Sequence, residues 1–229
     1  PLVSVIMNCF NGEKYLREAI DSIISQTYEN WEIVFWDNRS TDKSAEIVKE
    51  YNDSRIKYYL SPEHTDIGCG RVNAFPLLTG KFIAILDTDD LWLPHKLEEQ
   101  LRCFHDKNVG ICITNTEFFS SKQSKVLYKS PPKQGWVTDA LLRHYYISLE
   151  TVMLRRSVVE SLEYAFDQDF SHISDFDLIL RTSTVSKLAY VDKILGKWRV
   201  HGSSGSWSNP EFFVLEKKKW LLKNKDNNL

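Results

Sequence analysis

Three acidic groups could do chemistry in this chain. The first is the run Asp87-Thr88-Asp89-Asp90, which follows the apolar stretch Phe82 to Leu86 and precedes Trp92. Hard cations such as Mg²⁺ and Mn²⁺ prefer carboxylate oxygens and keep waters and phosphates in the rest of their shell. Acids on a tight turn can therefore aim one carboxylate at a cation and another at a hydroxyl of the same ligand. The same acids would also favour the positive end of a helix dipole, so the tetrapeptide alone leaves both readings open. The second group is Asp37, which closes the apolar run Trp31 to Trp36. The third is Asp175, just ahead of Phe176 to Leu180. It could cap a helix or accept a proton.

Helix-period and strand-period segments alternate around these acids. Val3 to Met7, Trp31 to Trp36, Ile56 to Leu60, Phe82 to Leu86 and Val109 to Thr114 read as strands. Tyr15 to Ile24, Thr41 to Tyr51, Arg71 to Leu78 and Leu93 to Phe104 read as helices, with Pro76 weakening the third. Such alternation predicts an α/β fold, a mostly parallel sheet covered on both faces. Ligands of these sheets bind beyond the carboxyl ends of the strands, where Asp37 and Asp87 both fall. The second half is less regular. Phe118 to Tyr128 reads as a strand or hairpin, residues 130–135 as a loop, Val137 to His144 as a helix and Thr151 to Leu154 as a strand. Asp175 to Ser183 reads as a helix, followed by short strands at Leu188 to Val191 and Gly196 to Val200.

The 229 residues suit one large domain, and 42% hydrophobic with 26% charged residues supports a packed core. A net charge of -2 lacks the basic surplus of a nucleic-acid binder, so nucleic acid is not expected as a partner. Cys9, Cys69, Cys103 and Cys112 match neither zinc nor redox spacing, which points to reduced thiols and a cytoplasmic location. No apolar run is long enough to span a bilayer. The tail from Glu216 sets Lys217, Lys218, Lys219, Lys223 and Lys225 beside Trp220, Leu221 and Leu222. That composition suits a peripheral contact with the inner face of a membrane as well as a solvated helix.

Several motifs, in order, resemble glycosyltransferase family 2. Val3-Ser4-Val5-Ile6 with Asn11-Gly12 and Tyr15-Leu16 resembles the family's opening strand and first helix. Ser25-Gln26-Thr27-Tyr28 with Trp31 to Val34 is similar to its next stretch. Asp37 to Asp42 resembles "D-D-G-S-T-D", and Gly80 to Asp90 resembles "G-E-Y-I-x-F-L-D-S-D-D". Ser174 to Arg181 resembles "E-D-x-D-L-x-L-R", and Arg199 to Ser204 resembles "R-x-H-x-x-S". The likeness is close from residue 2 to about 105 and looser beyond.

That resemblance implies a GT-A-like, Rossmann-like domain over 1–229. Residues 1–115 would form a donor and metal half, 116–215 a smaller acceptor-side half, and 216–229 a Lys-rich tail. It implies an inverting transferase using a nucleotide-diphosphate sugar, a UDP-sugar above all, with Mn²⁺ or Mg²⁺. The sugar would pass to a hydroxyl of a glycan or lipid-linked acceptor in bacterial surface polysaccharide synthesis. Asp175 would be the catalytic base. Asn8, Asp37, Arg71, Asp87 and Arg199 would bind the donor, with Asp37 on the base, Asp87 on the ribose side, and Arg71 and Arg199 near the diphosphate. Asp89 would ligate the metal, and His201 would reach the metal or diphosphate.

The pattern departs in three places. Arg39 stands where glycine is usual, so the loop is expected to take another path if a positive φ is needed there. Ser174 replaces a glutamate. Val72 and Ala74 replace the usual residues after Arg71. Two other function classes remain open at this level, a nucleotidyltransferase acting on sugar phosphates and a non-catalytic carbohydrate-binding protein. The first should show a glycine-rich phosphate loop near the N-terminus, and Asn8 to Gly12 holds a single glycine.

Overall fold

The computed structural model describes residues 1–202 and 210–225. Its strands are β1 (Val3–Cys9), β2 (Trp31–Asp37), β3 (Ile56–Leu60), β4 (Phe82–Ile85), β5 (Leu91–Trp92), β6 (Val109–Phe119), β7 (Ser124–Val126), β8 (Met153–Arg155) and β9 (Lys187–Arg199). Its helices are α1 (Leu16–Ile24), α2 (Ser44–Glu50), α3 (Ile67–Ala74), α4 (Lys96–Cys103), α5 (Thr138–Arg143), α6 (Arg156–Val159), α7 (Ser174–Val185) and α8 (Pro210–Lys223).

The described strands form one sheet in the order β3-β2-β1-β4-β8-β6-β9-β5, with β7 beside β6. The block β3-β2-β1-β4 is parallel, as the alternating pattern predicts. Beyond β4 the sheet changes character. β8 runs antiparallel to both β4 and β6, β5 runs antiparallel to β9, and β6 with β9 is parallel. The sheet is thus mixed, and its long pairings are parallel as expected, since each antiparallel pairing joins only two or three residue pairs. The antiparallel pairings all involve the short strands β5, β7 and β8.

Two apolar clusters hold the layers together. Leu16, Ala19, Ile20 and Ile23 of α1 and Leu97 of α4 pack on Val3, Val5 and Met7 of one sheet face. Leu141 of α5, Leu178 to Leu180 of α7 and Trp220 of α8 pack on Ile6, Val34 and Ile111 of the other. Strands covered on both faces read as continuous apolar runs because neither face meets water.

Several boundaries differ from expectation for local reasons. α3 starts at Ile67 rather than Arg71, because the Asp66 side chain accepts from the Cys69 amide and caps it there. Pro76 sits in a 3₁₀ turn over Phe75–Leu77 instead of inside the helix. β6 continues to Phe119, and β9 is one irregular strand rather than two, its register shifting near Asn115. The expected divisions at 115/116 and 215/216 fall inside β6 and α8. Among the described residues, no helix is long and apolar enough to cross a membrane.

Candidate active site

A cleft of roughly 1040 Å³ opens beyond the carboxyl ends of β1, β2 and β4. Its walls include Asn8, Asn38, Arg71, Asp87, Asp89 and Asp175. These residues span more than 160 positions of sequence, and the strand order is what gathers them.

The loops after β1 and β2 are joined side by side. The Asn11 amide donates to Ser40 Oγ at 3.1 Å, the Gly12 amide to Ser44 Oγ at 2.9 Å, and the Thr41 amide to Asn11 Oδ1 at 2.8 Å. Arg39 keeps a φ of 67°, so the loop does not take another path to spare it. Its neighbours' bonds hold the left-handed geometry that glycine would adopt without strain. Gly12 is needed for a different reason, since a Cβ there would come within 2.9 Å of the Thr88 hydroxyl on the acidic turn.

Asp37 lies beneath this wall rather than on it. It is 1% exposed, and its oxygens already accept from the Ser40 amide at 2.8 Å and the Tyr58 hydroxyl at 2.6 Å. Asp37 is not among the residues lining the cleft. The next residue, Asn38, faces the cleft instead, its amide tied to Thr65 through Nδ2 to the carbonyl at 2.6 Å. Sequence reading chose the acid and missed this neighbour, although the resemblance marked the whole loop. Asn8 stands on the cleft as expected. Its Nδ2 donates to the Ile67 carbonyl at 3.4 Å, and its buried Oδ1 lacks a partner among the described residues.

Arg71 projects from α3 and is 4% exposed. One terminal nitrogen donates to Ser174 Oγ at 2.8 Å and the other to Asp87 Oδ1 at 3.4 Å, while its buried Nε has no partner among the described residues. A buried guanidinium with unspent donors facing a cleft suits an anionic oxygen ligand. Ser174, which replaced the family's glutamate, thus receives Arg71 without competing for its charge.

Asp175 opens α7 beside this arginine. Burial pushes its carboxyl above the ordinary range, and the Arg71 charge pulls partly back. Asp87 is also raised, first by burial and then by the charges of Asp89 and Asp175, again opposed by Arg71. A raised carboxyl is easier to protonate, which is what a group that must gain a proton at neutral pH requires.

The acidic turn is held from its far side by the end of β9. His201 Nε2 lies 2.8 Å from Asp89 Oδ2. Arg199 Nε donates to the Asp89 carbonyl at 2.9 Å, its Nη2 to Glu18 at 2.8 Å, and its amide to Asp90 Oδ1 at 2.9 Å. Its guanidinium also lies over the Tyr15 and Phe119 rings. These engagements tie Arg199 to the acidic turn, which it braces, and it is not among the residues lining the cleft. Ser203 and Ser204 of the same motif lie outside the described residues. Below the turn, Asp90 and Glu150 are buried, and both are pushed up by burial.

Among the described residues, no three His, Cys, Asp or Glu groups converge as a closed metal cage. The Asp89–His201 pair, with Asp87 nearby, matches a different kind of site. Mg²⁺ and similar cations are commonly held by one or two protein groups and complete their shell with phosphate oxygens and water. The donor set therefore fits such a cation arriving with a diphosphate.

Known proteins resemble the chain across this whole architecture. The Glycosyl transferase family 2 model matches residues 4–161. The Escherichia coli UDP-Glc:alpha-D-GlcNAc-diphosphoundecaprenol beta-1,3-glucosyltransferase WfgD is 31% identical over 222 residues, 96% of this chain and 84% of that protein. The S. aureus TarS 1-349 crystal structure superposes with a TM-score of 0.80 at 18% identity, covering 100% of this chain and 67% of that one. The same TarS fragment has been crystallised with UDP, matching at a TM-score of 0.77 with 18% identity, 100% of this chain and 67% of that one. The mannosyltransferase PcManGT from Pyrobaculum calidifontis, in complex with GDP-Man and Mn2+, matches at a TM-score of 0.70 with 18% identity, 94% of this chain and 64% of that one. A family model covering more than half the sequence, a 31% identical relative and a shared mixed sheet lead to one assignment: this chain belongs to glycosyl transferase family 2 and is a glycosyltransferase of GT-A fold.

Proposed function

We propose that the cleft transfers a sugar, with inversion, from a UDP-sugar to a hydroxyl of a lipid-diphosphate-linked glycan during surface polysaccharide synthesis. The observation that carries this reading is Arg71. It links the acidic turn through Asp87 to the first turn of α7, where Asp175 has a raised affinity for a proton. WfgD is named for a UDP-glucose donor and a GlcNAc-diphosphoundecaprenol acceptor, which supports the same classes here. The UDP complex of TarS supports the choice of base.

In this reading residues 1–115 bind the donor and the remainder receives the acceptor. Asn8 and Asn38 contact the nucleoside, while Asp37 acts from behind by fixing the Ser40 turn. Arg71 faces the diphosphate and Asp87 the ribose side. Asp89 and His201 would hold Mn²⁺ or Mg²⁺, which when bound neutralises charge on the departing diphosphate. Asp175 accepts the acceptor's hydroxyl proton as its oxygen attacks the anomeric carbon, and the bond to the diphosphate oxygen breaks on the opposite face. Family membership argues against a nucleotidyltransferase, and retention of Asp89 and Asp175 against a binding-only protein.

Working at a lipid-linked acceptor would bring α8 to the cytoplasmic face of a membrane. Its outer side exposes Val214, Leu215, Leu221 and Leu222 around Lys218, a composition suited to an anionic surface. Co-sedimentation with vesicles containing phosphatidylglycerol, absent with neutral vesicles, is the expected result.

The donor assignment is tested by titrating the protein with UDP and with GDP, each with and without Mn²⁺. Metal-dependent UDP binding, weak GDP binding and loss of the metal effect in Asp89→Ala are expected. GDP binding as tightly as UDP would overturn the choice of base. UDP binding indifferent to Mn²⁺ would overturn the metal assignment.

A further inference from the structure

The helix that carries the base is held by a residue far from it in sequence. Ile173, at the N-cap position of α7, makes no side-chain bond to the helix. Helix starts normally satisfy their free amides with a nearby Ser, Thr, Asp or Asn. Here a carboxylate from α8 is the acceptor for the turn that leads into the helix, ending at the N-cap amide of Ile173. Glu216 Oε1 accepts from the Ser171 amide at 3.1 Å, and Oε2 accepts from the His172 amide at 2.8 Å and the Ile173 amide at 3.0 Å. Asp175 follows Ile173 by two residues.

Glu216 is one of several anchors on the same face of α8. Four residues on, Trp220 Nε1 donates to Asp177 Oδ1 at 2.9 Å in a buried contact. Three further on, Lys223 Nζ donates to Asp167 Oδ2 at 2.6 Å and Asp169 Oδ2 at 2.9 Å. Positions 216, 220 and 223 share one helical stripe. On that side Phe213 reaches the cleft, and the His172 ring packs against both Phe212 and Phe213. The face of α8 turned to the protein is thus bonded along the whole segment 167–177.

We propose that α8 is a clasp that sets the position of the base, and that Glu216 is its positioning residue. Three charge-assisted bonds fix the amides directly ahead of Asp175, and through them the direction in which its carboxylate enters the cleft. The inference rests on Asp175 being the base. Glu216 touches neither donor nor acceptor, so its loss should reach the chemical step without reaching donor affinity.

The test compares Glu216→Ala, Glu216→Gln and a control, Glu211→Ala, an exposed acid on the same helix. Two readouts are taken. The first is hydrogen exchange of amides 167–177, which needs no substrate. The second is kcat and KM with UDP-glucose and a GlcNAc-diphospho-lipid, or whichever UDP-sugar the wild type turns over, alongside Kd for UDP. For Glu216→Ala the expectation is faster exchange confined to 167–177, kcat reduced at least tenfold, and UDP Kd within twofold of wild type. Glu216→Gln keeps one acceptor oxygen and should recover part of the rate; Glu211→Ala should match wild type. Unchanged exchange, or an unchanged kcat, would overturn the clasp. So would equal losses in kcat and UDP affinity, which indicate general loosening. Asp175→Asn is measured in parallel. If that variant keeps full activity the base reading fails, whatever Glu216 does; if it is inactive while Glu216→Ala is normal, the clasp alone fails.

Discussion

The Arg71 guanidinium donates a 2.8 Å hydrogen bond to the Ser174 hydroxyl, joining α3 of the donor side to the first residue of α7. Its second arm, 3.4 Å from Asp87, puts one positive charge between the acidic turn and the start of α7, where Asp175 lies. The Arg71 charge opposes the rise that burial imposes on the two carboxyls that share the cleft, Asp87 and Asp175.

Arg71→Met should therefore change the pH profile as well as the rate. Removing the cation takes away the largest influence opposing burial at both carboxyls, so both rise further. The acid limb of kcat/KM, set by ionisation of the base, should move to higher pH. Arg71 is buried but Asp87 is 34% exposed, so losing the pair should cost less than the roughly 3–5 kcal/mol of a fully buried one. Chemical denaturation and a pH–rate series read both effects; an unmoved acid limb would remove Arg71 from the electrostatics of the base.

Asp175→Asn should lower turnover by roughly 10²–10⁴-fold, the usual contribution of a general base, while UDP binding persists. It should also stabilise the fold at neutral pH. The folded-state carboxyl binds its proton more tightly than the unfolded one, so stability falls as pH rises past the ordinary carboxylate range. Asparagine removes that penalty. A gain of about 2–4 °C in Tm for each kcal/mol relieved is expected at pH 7, vanishing toward pH 3.

Glu32 titrates in the opposite direction. Burial raises its carboxyl, but bonds from Lys57, Ser4 and Thr79 outweigh burial and bring it down to about 2. Its contribution is present above the unfolded pKa and is lost as pH falls through the folded value. Glu32→Gln should cost about 3 kcal/mol at pH 7, by the conversion of pKa shift to free energy. The cost should shrink between about pH 5 and pH 2. Urea unfolding at several pH values measures it; a pH-independent difference would mean the bonds act by geometry and not by charge.

Arg39→Gly should stabilise the protein by up to about 1 kcal/mol. A left-handed conformation costs a non-glycine residue about 1–2 kcal/mol, partly offset by the greater unfolded-state entropy of glycine. The comparison is a thermal melt of the two proteins. A loss of stability would show that the Arg39 side chain makes a favourable contribution larger than its strain.

The sequence by itself determined the parallel half of the sheet. Apolar runs covered on both faces and helices with a 3.6-residue period leave few other arrangements, and the strand ends bearing Asp37 and Asp87 followed from them. It also marked Asp89, Asp175 and His201 through local motifs. The antiparallel pairings of β8 and β5 were not legible, because short strands of three and two residues carry almost no periodic signal. Only the tertiary structure decided which marked residues face the cleft. Asp37 bonds Tyr58 and Ser40, Arg199 bonds Glu18 and the acidic turn, and Asn38 lines the cleft. Glu216 became visible only when α8 was seen against residues 171–173. Type and spacing along a chain specify which groups can bear charge. Partners distant in sequence determine where that charge is directed, since each carboxylate or guanidinium has few bonds to give and spends them on whatever the fold brings near.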